Sequence, residues 1–240
     1  MISSILLSAF LTVAFLVTGG YALLRWASLR AGVAGHHGDQ IAELCHLLMS
    51  LAMIGMVYGY AGPVADVVQI VGFGAFALYF LLRWVDGLRA HPSAAHGCRG
   101  AGHHFVMSAA MVWMVAAMPL LMGPMTSGSS GGHAGHAGHG GSDMGATMSM
   151  PAAPAPTWAL GVSWAVIVLL VVGAGFWARE SLLAPVGAPA PEPVLVGGGT
   201  TDMSGPGRPH PVARALTPRT DAACHCLMSL AMALGFLPML

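Results

Sequence analysis

The sequence predicts an all-α polytopic membrane protein, six transmembrane helices arranged as three repeated αα hairpins in an approximately pseudo-threefold bundle. Three observations carry this expectation. The chain is 56% hydrophobic and only 8% charged, far below the roughly 25% charged content of an ordinary soluble domain. It holds six apolar segments of about the 20 residues that a helix needs to cross a bilayer. One phrase also recurs three times, as CHLLMSLAM at 45–53, HHFVMSAAM at 103–111 and CHCLMSLAM at 224–232. The outer copies agree at eight of nine positions and all three share H-x-x-M-S-x-A-M, the mark of an internal repeat.

The first segment, about 5–24, lacks a basic leader and its arginines follow the apolar run, so it reads as a retained helix rather than a signal peptide. The second runs over about 41–60 and the third over 64–82, joined by a short Ala-Gly-Pro link. The fourth, 103–122, leads into a long connection. Residues 1–122 therefore hold helices 1 to 4 and the first two hairpins, and 123–157 form an external Gly/His/Met-rich flexible loop. Helix 5 follows at 158–178, a cytoplasmic Pro/Gly-rich linker at 179–220, and helix 6 at 221–240.

The repeat unit is longer than the phrase. YALLRW precedes the first copy and YFLLRW the second, and the spacing from Arg25 to His46 equals that from Arg83 to His104, 21 residues. In the third unit a looser GFWAR stands before His225, with the gap from Arg179 stretched to 46 by the linker. Each hairpin is thus expected to be a helix ending in an Arg-Trp anchor, then a returning helix that opens with histidine. Trp26, Trp84 and Trp177 suit the headgroup level, where an indole buries its ring and keeps its N–H wet.

The chain has no lysine, and its nine arginines all fall in the odd-numbered connections. By the positive-inside rule those connections are cytoplasmic and both termini face outside, in a multi-pass protein of the plasma membrane.

At about 100° per residue, positions i, i+3 and i+7 share a helical face. That face collects His46, Met49 and Met53; His104, Met107 and Met111; and His225, Met228 and Met232, continuing at Met56, Met114 and Met118. Ser50, Ser108, Ser229 and Ala52, Ala110, Ala231 are small residues that let membrane helices approach closely. Methionine alone reads equally well as a flexible gap-filler. The histidines point further, because an ionisable group within a span faces a partner, a cavity or a pathway, unless interfacial water at the helix start satisfies it. Glu43 and Asp221 read first as acids favourable at helix N-termini, and otherwise as partners orienting His46 and His225.

Thioether and thiolate favour Cu(I), and imidazole suits copper or zinc. Cys45 adjoins His46, and Cys224 and Cys226 flank His225; with Cys98 they all lie on the predicted cytoplasmic side, where thiols stay reduced. No C-x-x-C pair of a structural zinc site is present. In the external loop His133, His136 and His139 recur every three residues and are followed by Met144, Met148 and Met150, a compositional signal for metal binding. The expected ligands are therefore these histidines, methionines and cysteines, and the expected ion is copper. In ligand logic, though not in sequence, this resembles the trimeric high-affinity copper importers, with their Met-rich external segments and Met rings around a threefold axis.

The six apolar helices with H-x-x-M motifs, the exclusive use of arginine and the His/Met-rich loop together resemble an actinobacterial family of uncharacterised multi-pass integral membrane proteins, a domain of unknown function. That resemblance implies membrane localisation over most of the chain and assigns no activity. No G-x-S-x-G, H-E-x-x-H or phosphate-binding glycine loop occurs, so no enzyme is expected. Scattered arginines and zero net charge give no nucleic-acid surface. Haem held by histidines of different helices is less favoured than copper, since Met and Cys surround each one. The expected partners are the lipid bilayer, a metal ion and a membrane protein. Two functions remain: a protein that binds or conducts a soft transition metal, or a non-catalytic scaffold or regulatory subunit whose His/Met faces pack helices.

Overall fold

The computed structural model describes residues 5–30, 40–59, 62–90, 95–122, 155–184 and 217–240. Among these the chain is all-helical, with α1 (Ile5–Arg30), α2 (Gln40–Val57), α3 (Pro63–Ala90), α4 (Ala95–Met122), α5 (Thr157–Leu183) and α6 (Pro218–Phe236), the last followed by a short 3-10 turn at Leu237–Met239.

The first helix of each hairpin is long. With 26, 28 and 27 residues, α1, α3 and α5 are each roughly 40 Å long at 1.5 Å per residue, against a hydrocarbon layer of about 30 Å. Their Arg- and Trp-bearing ends are helical, so apolar length alone underestimated them. The returning helices α2 and α6 have 18 and 19 residues, barely the thickness of that layer.

Five of the six, α1 to α5, are long and apolar enough to cross a membrane. Helix α6 is the correction to the expected six. It begins at Pro218 rather than Asp221, and its first turn carries Arg219 and Asp221, so its apolar run is too short to match the others. That first turn is firmly built nonetheless. Thr217 caps it, accepting from the Thr220 N–H at 3.2 Å, while the Thr217 N–H donates to Thr220 Oγ1 at 3.1 Å, and Pro218 sits where no N–H is needed.

Helix α1 packs along α2, α3 along α4, and α5 along α6, so helices consecutive in the chain pair in space. Between hairpins, α1 also touches α6, α5 touches α4, and α3 touches α2. The outward faces of the long helices carry Val64, Val67, Val68 and Val71 on α3, and Val168, Leu169 and Val172 on α5, all exposed. Lipid is the medium that suits such surfaces.

The interior is made of sulfur and small residues. Met49, Met53, Met107, Met111, Met114, Met228 and Met232 are each at most 2% exposed and belong to one core cluster with Leu11, Phe15 and Phe236. Met56 and Met118 pack partly buried against it. Ser50, Ser108, Ser229, Ala110 and Ala231 are buried as the repeat predicts. Two glycines mark the closest approaches. A Cβ on Gly19 of α1 would lie 2.9 Å from Ser50 Cβ, and one on Gly235 of α6 would lie 2.9 Å from Met53 Cε. The first neighbour is anchored to the α2 backbone and held by the Thr18 hydroxyl at 3.3 Å; the second is the free end of a flexible chain.

Gly19→Ala is therefore expected to lower stability by about 1–2 kcal/mol through overpacking. Gly235→Ala should be neutral or slightly stabilising, because Met53 can swing aside and a helical alanine is better than glycine by about 0.5–1 kcal/mol. Thermal unfolding midpoints of the two variants in the same detergent check this; equal losses would mean that the two contacts are equally rigid.

Candidate functional site

The three repeat histidines come together. His46, His104 and His225 are only 7%, 8% and 8% exposed, and their rings form one cluster: the centroids of His46 and His104 are 4.7 Å apart, those of His46 and His225 4.7 Å, and those of His104 and His225 5.4 Å. Interfacial water at the helix starts does not account for rings this buried. Helix α4 begins at Ala95, well before His104, so that ring enters the bundle from mid-helix.

A fourth imidazole joins them. His103 lies 5.5 Å from His225 and 6.0 Å from His104, ring centre to ring centre. The repeat face assigned on the sequence passed it by. It occupies the position that Cys45 and Cys224 fill in the other two copies, which was the available signal. Its Nε2 is 3.4 Å from the Ser229 hydroxyl, and a Cβ on Gly173 of α5 would be 3.4 Å from its Nδ1. The equivalent side chain of the first hairpin behaves alike: Cys45 Sγ is 3.5 Å from the Ser108 hydroxyl. In both cases the residue before the repeat histidine reaches the repeat serine of the next hairpin.

Aromatic rings wall the cluster. Phe80 of α3 lies 4.8 Å from His104, and Trp177 of α5 stacks on His225 at 4.6 Å with a 30° tilt, while meeting His103 at 5.4 Å. Trp177 thus departs from the expected headgroup anchor. Its indole faces the histidines, and its Nε1 is buried with no hydrogen-bond partner among the described residues. Trp26 stays at the helix end, with the Arg30 guanidinium over its ring at 5.1 Å.

Beside the cluster sits an ionic group. Arg25 Nε is 3.0 Å from Glu43 Oε1, and Arg25 Nη1 pairs with Asp221 Oδ1. The same Asp221 oxygen is 3.7 Å from His225 Nε2. The two acids read first as helix N-terminal favours are in fact bridged by an arginine read only as a topology signal. Gly100 and Ala101 stand at the corresponding positions of α4, so the second hairpin contributes no acid.

The polar accounting leaves imidazole nitrogens over. His46 Nε2 and His225 Nδ1 are buried without a hydrogen-bond partner among the described residues. An unsatisfied buried polar group costs about 1–3 kcal/mol, so their retention beside each other calls for a reason. As they stand, no three His, Cys, Asp or Glu side chains among the described residues are arranged to hold a metal ion. Beyond the rings, the next layers inward are thioethers, from Met49, Met107 and Met228 to Met53, Met111 and Met232, all buried.

Of the other predicted ligands, Cys45 is fully buried, and Cys224 and Cys226 are half-buried free thiols. His133, His136 and His139, with Met125, Met144, Met148 and Met150, lie outside the described residues, as do the side chains of Cys98 and Met122.

A helical membrane protein with a buried interior of imidazole and thioether is the class that fold and site define. The chain belongs to the family described as Domain of unknown function (DUF5134), whose profile matches residues 38–239, from just before α2 to the 3-10 turn. No curated protein and no solved structure matches the chain.

Arg25→Gln should strand the Glu43 carboxylate, whose side chain is 7% exposed, without its cation. Removing one partner of a fully buried pair costs about 3–5 kcal/mol. Arg25 and Asp221 keep 22% and 27% exposure, so a loss of about 2 kcal/mol is expected, recovered in part in Arg25→Gln/Glu43→Gln, where Asp221 still lacks the guanidinium. Unfolding midpoints of the single and double variants decide it; no recovery would mean that the guanidinium acts by packing, not charge.

Proposed function

We propose that this chain binds a soft transition metal, Cu(I), between the thioethers of α2, α4 and α6, with the imidazole cluster at the cysteine-bearing end of that interior. The observation that carries the reading is the convergence of six repeat methionines and three repeat histidines from three separate helices into one buried interior. Thioether sulfur is a weak ligand for hard ions and a good one for Cu(I), and a neutral donor set suits a monovalent cation in a low-dielectric interior. Cyclic contacts among the three hairpins support an approximately threefold arrangement, in which equivalent side chains reach one axis.

On this reading the protein is a non-enzymatic member of the plasma membrane. The arginine-bearing connections face the cytoplasm and the loop with His133, His136 and His139 faces outside. That loop would gather the ion, and Cys45, Cys224 and Cys226 offer thiol sulfur at the opposite end of the interior. A scaffold or regulatory subunit is the second reading. It is favoured by Met53, whose methyl fills the notch over Gly235 as a packing side chain would.

Elemental analysis of purified protein after Cu(I) loading under reducing conditions separates them. Wild type and a variant lacking the external loop are expected to retain copper, and Met49→Leu/Met107→Leu/Met228→Leu to lose it while remaining folded, each swap costing less than about 1.5 kcal/mol because Met and Leu are nearly volume-matched. Copper that disappears with the loop, or persists in the leucine variant, would leave the methionines as packing.

A further inference from the structure

We infer that His46, His103, His104 and His225 form a second metal site, chemically distinct from the thioether layers, which takes a borderline divalent ion of the zinc class through four imidazoles. It shares the interior with the copper reading but does not depend on it.

The ring spacing is the first support. Donor nitrogens about 2.0 Å from a common ion place imidazole centres about 5 Å apart. The three repeat histidines stand at 4.7, 4.7 and 5.4 Å, and His103 at 5.5 Å from His225 and 6.0 Å from His104. The three repeat rings thus match that spacing and His103 lies a little outside it, so ligation requires each ring to turn a nitrogen inward and His103 to close on the other three. The leftover nitrogens are the second support: His46 Nε2 and His225 Nδ1 are buried without a hydrogen-bond partner among the described residues, the condition of ligand atoms awaiting an ion.

The surroundings explain why the nitrogens do not yet converge. Asp221 Oδ1 lies 3.7 Å from His225 Nε2, leaving Nδ1 as that ring's inward donor, while the Ser229 hydroxyl lies 3.4 Å from His103 Nε2. A carboxylate or hydroxyl on the far nitrogen is what orients a ligating histidine and raises its basicity. Room for the fourth ring is made by Gly173, where a side chain would crowd His103 Nδ1.

His103 also sets the choice of ion. The other repeats have Cys45 and Cys224 at its position, and Cys45 is directed to Ser108 rather than to the rings. Replacing a soft thiol by a fourth imidazole gives an all-nitrogen set that fits tetrahedral Zn2+, not the low-coordinate sulfur environment of Cu(I).

Co2+ is the probe, because tetrahedral cobalt has intense visible bands and octahedral cobalt does not. The full chain is used with His133, His136 and His139 all changed to Ala, so that the external loop does not compete. About one equivalent of Co2+ should give the tetrahedral spectrum and be displaced by Zn2+. His103→Ala should weaken binding by about tenfold or more. His103→Cys restores the residue type of the sister repeats; in a background with Cys224→Ser and Cys226→Ser it should keep the tetrahedral spectrum and gain thiolate-to-cobalt absorption that the same background with His103 lacks, at an unchanged unfolding midpoint. Absence of the tetrahedral spectrum in the parent chain overturns the proposal, as does a spectrum indifferent to both His103 variants. Cobalt binding that follows His103 in a protein retaining no Cu(I) would sustain this site and sink the thioether reading. Copper retention without cobalt binding would do the reverse.

Discussion

Burying a polar nitrogen without a hydrogen-bond partner costs about 1–3 kcal/mol, and this bundle gathers four imidazoles at one level, with His46 Nε2 and His225 Nδ1 left without a partner among the described residues. Everything around that level is arranged to make the burial tolerable. Helices must come close enough for rings on three of them to touch, which requires the serines and alanines of the repeat and the bare backbone at Gly19 and Gly173. Phe80 and Trp177 cover the rings with aromatic faces, and Asp221 and Ser229 each stand beside one ring nitrogen. A core built only to pack would not need any of this. Leucine at the three histidine positions would fill the space without leaving nitrogens over.

The repeat makes the cluster and then breaks its own symmetry there. At the histidine itself the three copies are the same; one residue earlier they read Cys45, His103 and Cys224, and three or four residues earlier Glu43, a glycine-alanine pair, and Asp221. These differences are spatially ordered. The acids lie on α2 and α6, where α1 delivers Arg25 to bridge them, and the extra imidazole lies on α4, where α5 leaves space at Gly173. One seam is therefore charged and the neighbouring one is imidazole-rich. The family match begins at residue 38, after Arg25, so the ionic bridge joins the matched region to the helix that precedes it.

The helices and the buried faces were legible in the sequence because both follow from local rules. Apolar length places a helix in a membrane, and a 100° periodicity assigns its interior face; Met49, Met53, Met107, Met111, Met228 and Met232 are all buried accordingly. Helix ends were less legible, since Arg83, Asp86 and Arg89 continue α3 well beyond its apolar run, and the polar start of α6 removes it from the clearly spanning set. What sequence could not supply were relations between hairpins. Arg25 reads as an orientation signal until α2 and α6 are placed beside it, and Trp177 reads as an interface anchor until α5 turns it onto His225. His103 was missed because it lies 100° off the repeat face, a position that matters only when another helix, here α5, comes to meet it.

Imidazole and thioether occupy successive layers of one interior, and the order follows from how each pays for burial. An imidazole is least costly to bury near groups that face its second nitrogen, as Asp221 faces His225 and Ser229 faces His103, and the charged group of Asp221 and Arg25 belongs at the more polar end of the bundle. A thioether has almost no hydration to lose and can stand at any depth. The gradient from charge to imidazole to sulfur is thus the least costly order in which a membrane helix can bury donor atoms. It is also a gradient from hard to soft. Any cation drawn along it would exchange oxygen for nitrogen and then for sulfur, and only an ion stable with soft, neutral ligands would pass beyond the rings. On the proposed reading, selectivity would need no fitted cavity; it would arise from which layers an ion can leave water to enter.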